Sequence, residues 1–143
     1  MGRKKNKKKN KYIYNEPKIV YIYNTIYELE IKNSLIKNSG KGVFTKEKLQ
    51  KKIHLGNYIG INYHKNINIF SNYSIETYYG GMIDAQNYPR TIFAMINDSK
   101  FSDFENNCEF IIKKDCVEIW TTKFINEGKE LYIDYGTDYW INR

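Results

Sequence analysis

Residues able to do chemistry are few in this chain of 143 residues, and their spacing excludes more than it admits. His54 and His64 have no Cys or His partner at metal-ligand spacing, so they read as surface or structural histidines and no metal is expected. Cys108 and Cys116 show neither metal spacing nor a secretory context and read as reduced thiols inside a cell. Gly40-Lys41-Gly42-Val43-Phe44 would let backbone approach a ligand closely and tolerate positive φ. No long helix follows it, which disfavours a dinucleotide-phosphate site. The remaining candidate is Glu130-Leu131-Tyr132-Ile133-Asp134-Tyr135-Gly136, followed by Thr137, Asp138 and the aromatic pair Tyr139-Trp140. By itself an alternating run ending at Tyr-Gly is an ordinary β-strand closed by a turn. With 14 tyrosines in the chain, no single one carries weight alone.

The elements that must position these residues are mostly strands. Tyr27, Leu29 and Ile31 alternate with Glu28, Glu30 and Lys32, the period-2 pattern of a half-buried strand. Asn33, Ser34, Asn38, Ser39 and Gly40 mark the loop that follows. Thr45 could cap a short helical turn through Lys48–Lys52. Ile53 to Tyr63 is strand-like, interrupted at Gly56 and Gly60. Residues 65–81 form a polar insertion rich in Asn and Tyr. Phe110–Ile112 and Cys116–Thr121 predict a hairpin turned by Lys113-Lys114-Asp115. Many short strands, little helix and no internal repeat predict one small, mostly β domain over residues 18–143.

Charge is distributed unevenly. Residues 1–11 hold seven basic side chains and no acid; removing those seven from the 23 basic residues leaves 16 against 16 acids. The formal +7 thus belongs to a basic, disordered tail (residues 1–17) on a balanced domain. Such a tail suits nuclear import or weak contact with nucleic-acid phosphates, or simply a solvated end. No apolar run approaches a membrane span, and no apolar segment follows the basic start as in a secretory signal. An intracellular protein, nuclear where the tail acts in import, is expected.

In chain order, four stretches together resemble the SET domain, the fold of most protein lysine methyltransferases. Glu30 to Phe44 resembles the family's opening strand and its G-x-G loop. Tyr58-Ile59-Gly60 resembles its Y-x-G element. Met82-Ile83-Asp84-Ala85 and Asn97-Asp98-Ser99, with Asn107-Cys108, resemble its "IDA", "NHS" and Asn-Cys segments. Gly128-Lys129-Glu130-Leu131 leads into the D-Y-G signature. The resemblance spans roughly residues 27–140. It implies a β-clip of several short-stranded sheets with a C-terminal pseudoknot, which would bring Tyr135 to Asn97. It also implies transfer of a methyl group from S-adenosylmethionine to a lysine amine, an in-line displacement that depends mainly on geometry.

On that resemblance Tyr135 is the catalytic tyrosine, while Tyr58, Ile133 and Tyr139 line the lysine channel. Gly40, Lys41, Gly42, Asn97, Asp98 and Trp140 would meet the cofactor. The chain departs from the family in three places. Asp98 stands for the usual His and would add negative charge beside the cofactor. Ala94 and Met95 stand for Arg-Phe. Ile133 stands where an aromatic residue tunes methyl number, leaving room for di- or trimethylation. Without cysteine-rich flanking modules, the chain resembles the minimal SET proteins of some large DNA viruses, which act on histone tails; histone H3 is the first candidate substrate. A lid this short invites completion of the channel by a homodimer. The rival readings are a SET-like module that binds a lysine-bearing peptide without transfer, and a nucleic-acid-binding β domain using the tail.

Overall fold

The computed structural model describes residues 19–64, 71–77, 80–136 and 139–140. The basic segment 1–17, much of the 65–81 insertion, and Thr137 and Asp138 lie outside the described residues. Among the described residues, ten short strands form four small sheets, as expected of a SET-type β-clip. Strand β1 (Tyr21–Ile22) pairs in parallel with β8 (Arg90–Thr91), and β2 (Leu29–Asn33) pairs antiparallel with β3 (Lys41–Thr45). Strands β5 (Ile61–Tyr63) and β6 (Ser74–Glu76) flank β7 (Met82–Asp84). The predicted hairpin is present as β9 (Cys108–Ile112) and β10 (Val117–Thr121), with β4 (His54–Asn57) on the other side of β10. One 3-10 helix, Ile92–Met95, follows β8 directly and is capped by the Thr91 hydroxyl.

The alternation in β2 works as its period demands: Leu29 is buried, with Tyr27 and Ile31 packed on the same core. The helical turn expected at Lys48–Lys52 does not form. Thr45 ends β3, and its hydroxyl donates to the Glu47 carbonyl and accepts the Glu47 N–H. Leu49 is buried and pairs with Ile125 through reciprocal backbone hydrogen bonds of 2.8 Å. A five-residue helix is too short to outweigh that tertiary anchor.

The C-terminal segment is threaded. On one side Asn97 bridges Tyr132, and Ile133 N–H donates to the Asn97 carbonyl at 2.9 Å. On the other, Cys108 bridges Ile133, and the Asn107 and Cys108 N–H groups both donate to the Tyr132 carbonyl at 2.9 Å. Asn107 completes the contact with its side chain, which accepts Tyr132 N–H and donates to the Glu130 carbonyl. Residues 98–106 join the two flanks, so 130–133 runs between the ends of one loop, the pseudoknot arrangement the resemblance implied.

Glu130 locks this crossing. Its buried carboxylate accepts from Ser34 Oγ (2.7 Å), the Leu35 N–H (2.8 Å) and Tyr132 Oη (3.0 Å), and Asn97 Nδ2 stands 3.5 Å away. A Cβ on Gly42 would lie 2.2 Å from Glu130 Oε2. That glycine therefore makes room for a glutamate; sequence reasoning had assigned it to cofactor approach.

Gly42→Ala should cost about 1–3 kcal/mol by overpacking, and Glu130→Ala about 3 kcal/mol by stranding buried donors. The double variant should lose clearly less than the sum, because removing the carboxylate removes the clash. Urea unfolding of the four proteins measures this, and additive losses would refute the contact.

Candidate active site

A cavity of about 370 Å³ opens where the β3 loop, the 3-10 helix, the 130s segment and β6 converge. That volume lies within the range of small-molecule sites. Of the residues predicted from sequence, Gly40, Lys41, Tyr58, Asn97, Asp98, Tyr135, Tyr139 and Trp140 line it. The threading described above is what brings Tyr135 beside Asn97, as the resemblance required.

The Tyr135 hydroxyl donates to the Ile96 carbonyl at 2.6 Å. Its proton is thereby committed, so toward the cavity the phenol oxygen can offer only lone pairs. Burial pushes the phenol well above its usual range, and the neighbouring Tyr139 and Asp98 push it further. A neutral, acceptor-only oxygen on a cavity wall can orient an N–H group; it is not a base. Tyr58 is similar. Its hydroxyl donates to the Tyr73 carbonyl at 2.6 Å, and burial, then Tyr135 and Asp84, raise its phenol.

Aromatic faces surround these hydroxyls. The Tyr135 ring stacks near-parallel on Trp140 at 6.1 Å and meets Tyr139 edge-on at 4.6 Å, while Tyr58 meets Phe110 edge-on at 5.9 Å. Such a wall suits an apolar stem with a cationic or amine head, or a sulfonium. Lys41 contributes backbone rather than charge: its carbonyl accepts from Asn97 Nδ2 at 2.9 Å, and its ammonium turns to Asn33 Oδ1. Gly40 sits at φ +63° with open space around it, so the turn itself needs the glycine.

Two sequence assignments are corrected. Ile133 does not line the cavity; held between Asn97 and Cys108, it is fully buried in the main core. The inference of di- or trimethylation from space at Ile133 lapses with it. Gly42 also lies off the wall, against Glu130.

Asp98 has a role that sequence reasoning missed. Its Oδ1 accepts from the Lys100 N–H (2.9 Å) and Asn106 Nδ2 (3.2 Å). Its Oδ2 accepts from the Tyr135 N–H and from Trp140 Nε1, both at 2.9 Å. The carboxylate is thus the clamp that fixes the Tyr135 backbone and the Trp140 indole, where the resemblance suggested added negative charge beside a cofactor. Four donors spread its charge. The available signal was that a partly buried Trp N–H needs an acceptor. Arg90 and Tyr73 were also missed. The buried guanidinium stacks 3.9 Å from the Tyr73 ring and 4.3 Å from Tyr88, donates from Nε to the Ala85 carbonyl and from Nη2 to the Gln86 carbonyl, and reaches Met95 Sδ. Tyr73, Ala94 and Met95 all line the cavity.

His54 stacks on Trp120 at 5.2 Å, the structural role expected of it, and both cysteines are free. Among the described residues no group of three or more His, Cys, Asp or Glu side chains could hold a metal ion.

Asp98→Asn turns one acceptor oxygen into a donor that faces other donors. It should cost about 2–3 kcal/mol and shift tryptophan emission to the red as Trp140 loosens. Unchanged stability and emission would disprove the clamp.

The family model described as SET domain matches residues 5–136. In three dimensions the chain is similar to the methyltransferase domain of human PR domain-containing protein 2. The TM-score is 0.65 at 22% identity, over 86% of this chain and 93% of that one, a likeness of fold. No curated protein matches in sequence. A family model spanning all but the ends of the chain, a structure of the same fold, and Tyr135 threaded to Asn97 lead to one conclusion: this chain belongs to the SET-domain family, the family of protein lysine methyltransferases.

Proposed function

We propose that this chain transfers a methyl group from S-adenosylmethionine to a lysine amine on a protein tail, with histone H3 the first substrate to test. The observation that carries this reading is the Tyr135 hydroxyl, held by the Ile96 carbonyl on the wall of a cavity lined by Tyr58, Tyr139 and Trp140. The residues present suit the methyl donor. Backbone of Gly40–Lys41 and the Asn97 region can meet a zwitterionic amino-acid end, and aromatic rings can face a sulfonium and a flat base. When bound, the donor supplies an electrophilic methyl group.

The chain's own part is to bind and orient. The Tyr135 oxygen accepts an N–H from the entering amine, which turns the nitrogen lone pair toward the donor. The aromatic lining excludes water, and burial lowers the amine's pKa from its free value of about 10.4. No strong base is needed, which suits phenols held neutral by their surroundings.

The same aromatic wall also favours a second reading, a module that binds a lysine-bearing peptide without transfer. Calorimetry with S-adenosylmethionine separates the two: a chain that binds peptide but not the methyl donor is a reader.

Tyr135→Phe should lower radiolabelled methyl transfer to a histone mixture by about 100-fold or more, since it removes one aimed polar group. The fold should lose only about 1 kcal/mol. Transfer at near wild-type rate would refute the role of Tyr135. The rate should also rise with pH while the bound amine loses its proton. It should show no falling limb near pH 10, the ordinary tyrosine value, because the Tyr135 pKa is raised and the neutral phenol persists beyond it. A descending limb there would contradict the neutral-acceptor role.

A further inference from the structure

A second surface, away from the cavity, carries a concentration of positive charge that methyl transfer does not use. Residues 45–53 hold Lys46, Lys48, Lys51 and Lys52, all exposed, and backbone pairing brings Lys129 alongside through Thr45 N–H to the Lys129 carbonyl. None of these five lysines forms an ion pair among the described residues. The nearby acids are fewer. Glu47 is occupied in accepting the Glu28 N–H, Glu105 is spent on Lys123 at 2.6 Å, and Glu28 and Glu127 are exposed. No residue of 45–53 or 121–130 lines the cavity.

The loop is a fixed platform. The buried Thr121 hydroxyl donates to the Gln50 carbonyl at 2.7 Å and accepts the Ile53 N–H at 2.8 Å, closing the turn that holds Lys51 and Lys52. Lys52 N–H donates to the Thr121 carbonyl, and Leu49 is anchored on Ile125. Within this turn Lys52 adopts φ +62°. The left-handed region costs a side-chain-bearing residue about 1–2 kcal/mol, and Gly or Asn is the usual occupant. A long cation held at a strained position, on a rigid turn, beside three more unpaired cations calls for an anionic partner.

We infer that the 46–52 lysine loop binds the phosphate backbone of nucleic acid. Preorganised cations reduce the ordering cost of such contact, and displacement of condensed counterions drives it. An anionic bilayer fits less well, because exposed apolar side chains should enter the membrane beside the cations. Here Leu49 and Ile125 point inward and Phe124 is the one large exposed apolar side chain of 45–53 and 121–129. The inference does not depend on methyl transfer.

The test uses the full chain, titrated by fluorescence anisotropy against a labelled duplex DNA at several salt concentrations. Each phosphate contact contributes about −0.9 to the slope of log affinity against log salt. Replacing Lys46, Lys48, Lys51 and Lys52 with Gln should flatten that slope by about 3.6 and weaken binding at least about tenfold at low salt, with melting temperature and far-ultraviolet circular dichroism unchanged. Lys52→Gly gives an independent check. It should weaken binding and flatten the slope by about 1 while the melting temperature holds or rises, since glycine relieves the left-handed backbone; a purely structural lysine would do neither. Equal affinity and slope in wild type and the fourfold variant would overturn the inference. So would tighter binding of wild type to phosphatidylserine vesicles than to DNA.

Discussion

Burying a single extended segment without stranding its backbone is the constraint on which the rest of this molecule depends. Residues 130–133 are buried throughout, and a buried N–H or C=O without a partner costs about as much as a lost hydrogen bond. Every such group named here finds its partner far away in sequence. Leu131 N–H reaches the Val43 carbonyl, Tyr132 uses the Asn107 side chain and the Asn107 and Cys108 amides, and Ile133 N–H takes the Asn97 carbonyl. Once those bonds are made, Tyr135 has nowhere to go but the wall beside Ile96. The placement of Tyr135 on the cavity wall is therefore a by-product of solving a backbone-satisfaction problem. Its contacts span 23 to 96 residues, the kind of topology that folds slowly.

Two buried carboxylates hold this arrangement, and neither forms an ion pair among the described residues. Glu130 collects donors from Ser34, Leu35 and Tyr132, tying the front of the chain to the crossing. Asp98 collects donors from Lys100, Asn106, Tyr135 and Trp140, tying the loop to the C-terminal aromatics. An ionised carboxylate is acceptor-only and has room for several donors, so one such group can fix several strand ends at once. A histidine at position 98 could not accept four hydrogen bonds. The departure from the family's pattern thus has a structural use here.

How much of this was legible depended on whether a residue's role was set locally. The alternation of Tyr27, Leu29 and Ile31 and the turn at Lys113-Lys114-Asp115 are local signals, and β2 and the β9–β10 hairpin formed where they pointed. The motif order gave the fold, and with it the meeting of Tyr135 and Asn97. What stayed hidden was tertiary. Leu49 was drawn into a bridge with Ile125 in place of a helical turn, and the 3-10 helix Ile92–Met95 carried no periodic pattern to announce it. Gly42 looked like a ligand glycine because nothing in sequence reveals a carboxylate 88 positions later pressing on its Cα hydrogen. Ile133 sits two residues before Tyr135, yet alternation sends the two side chains to a common side only while the strand lasts. The chain leaves regular pairing after Ile133, and the Tyr135 side chain goes to the cavity while Ile133 stays in the core.

The electrostatics of the site follow from two opposite charges buried around it. For methyl transfer the amine must enter or become neutral, so a nearby anion, which stabilises ammonium, works against the reaction. Asp98 is such an anion. Arg90, stacked on the cavity-lining Tyr73, is a buried cation acting in the opposite sense. The two charges act in opposite senses on an amine in the cavity, and desolvation by the aromatic wall favours its neutral form. With the Arg-Phe pair of the family pattern replaced by Ala94-Met95, a guanidinium four residues earlier packs against the cavity-lining Tyr73, and Met95 Sδ lies 3.6 Å from Arg90 Nη1.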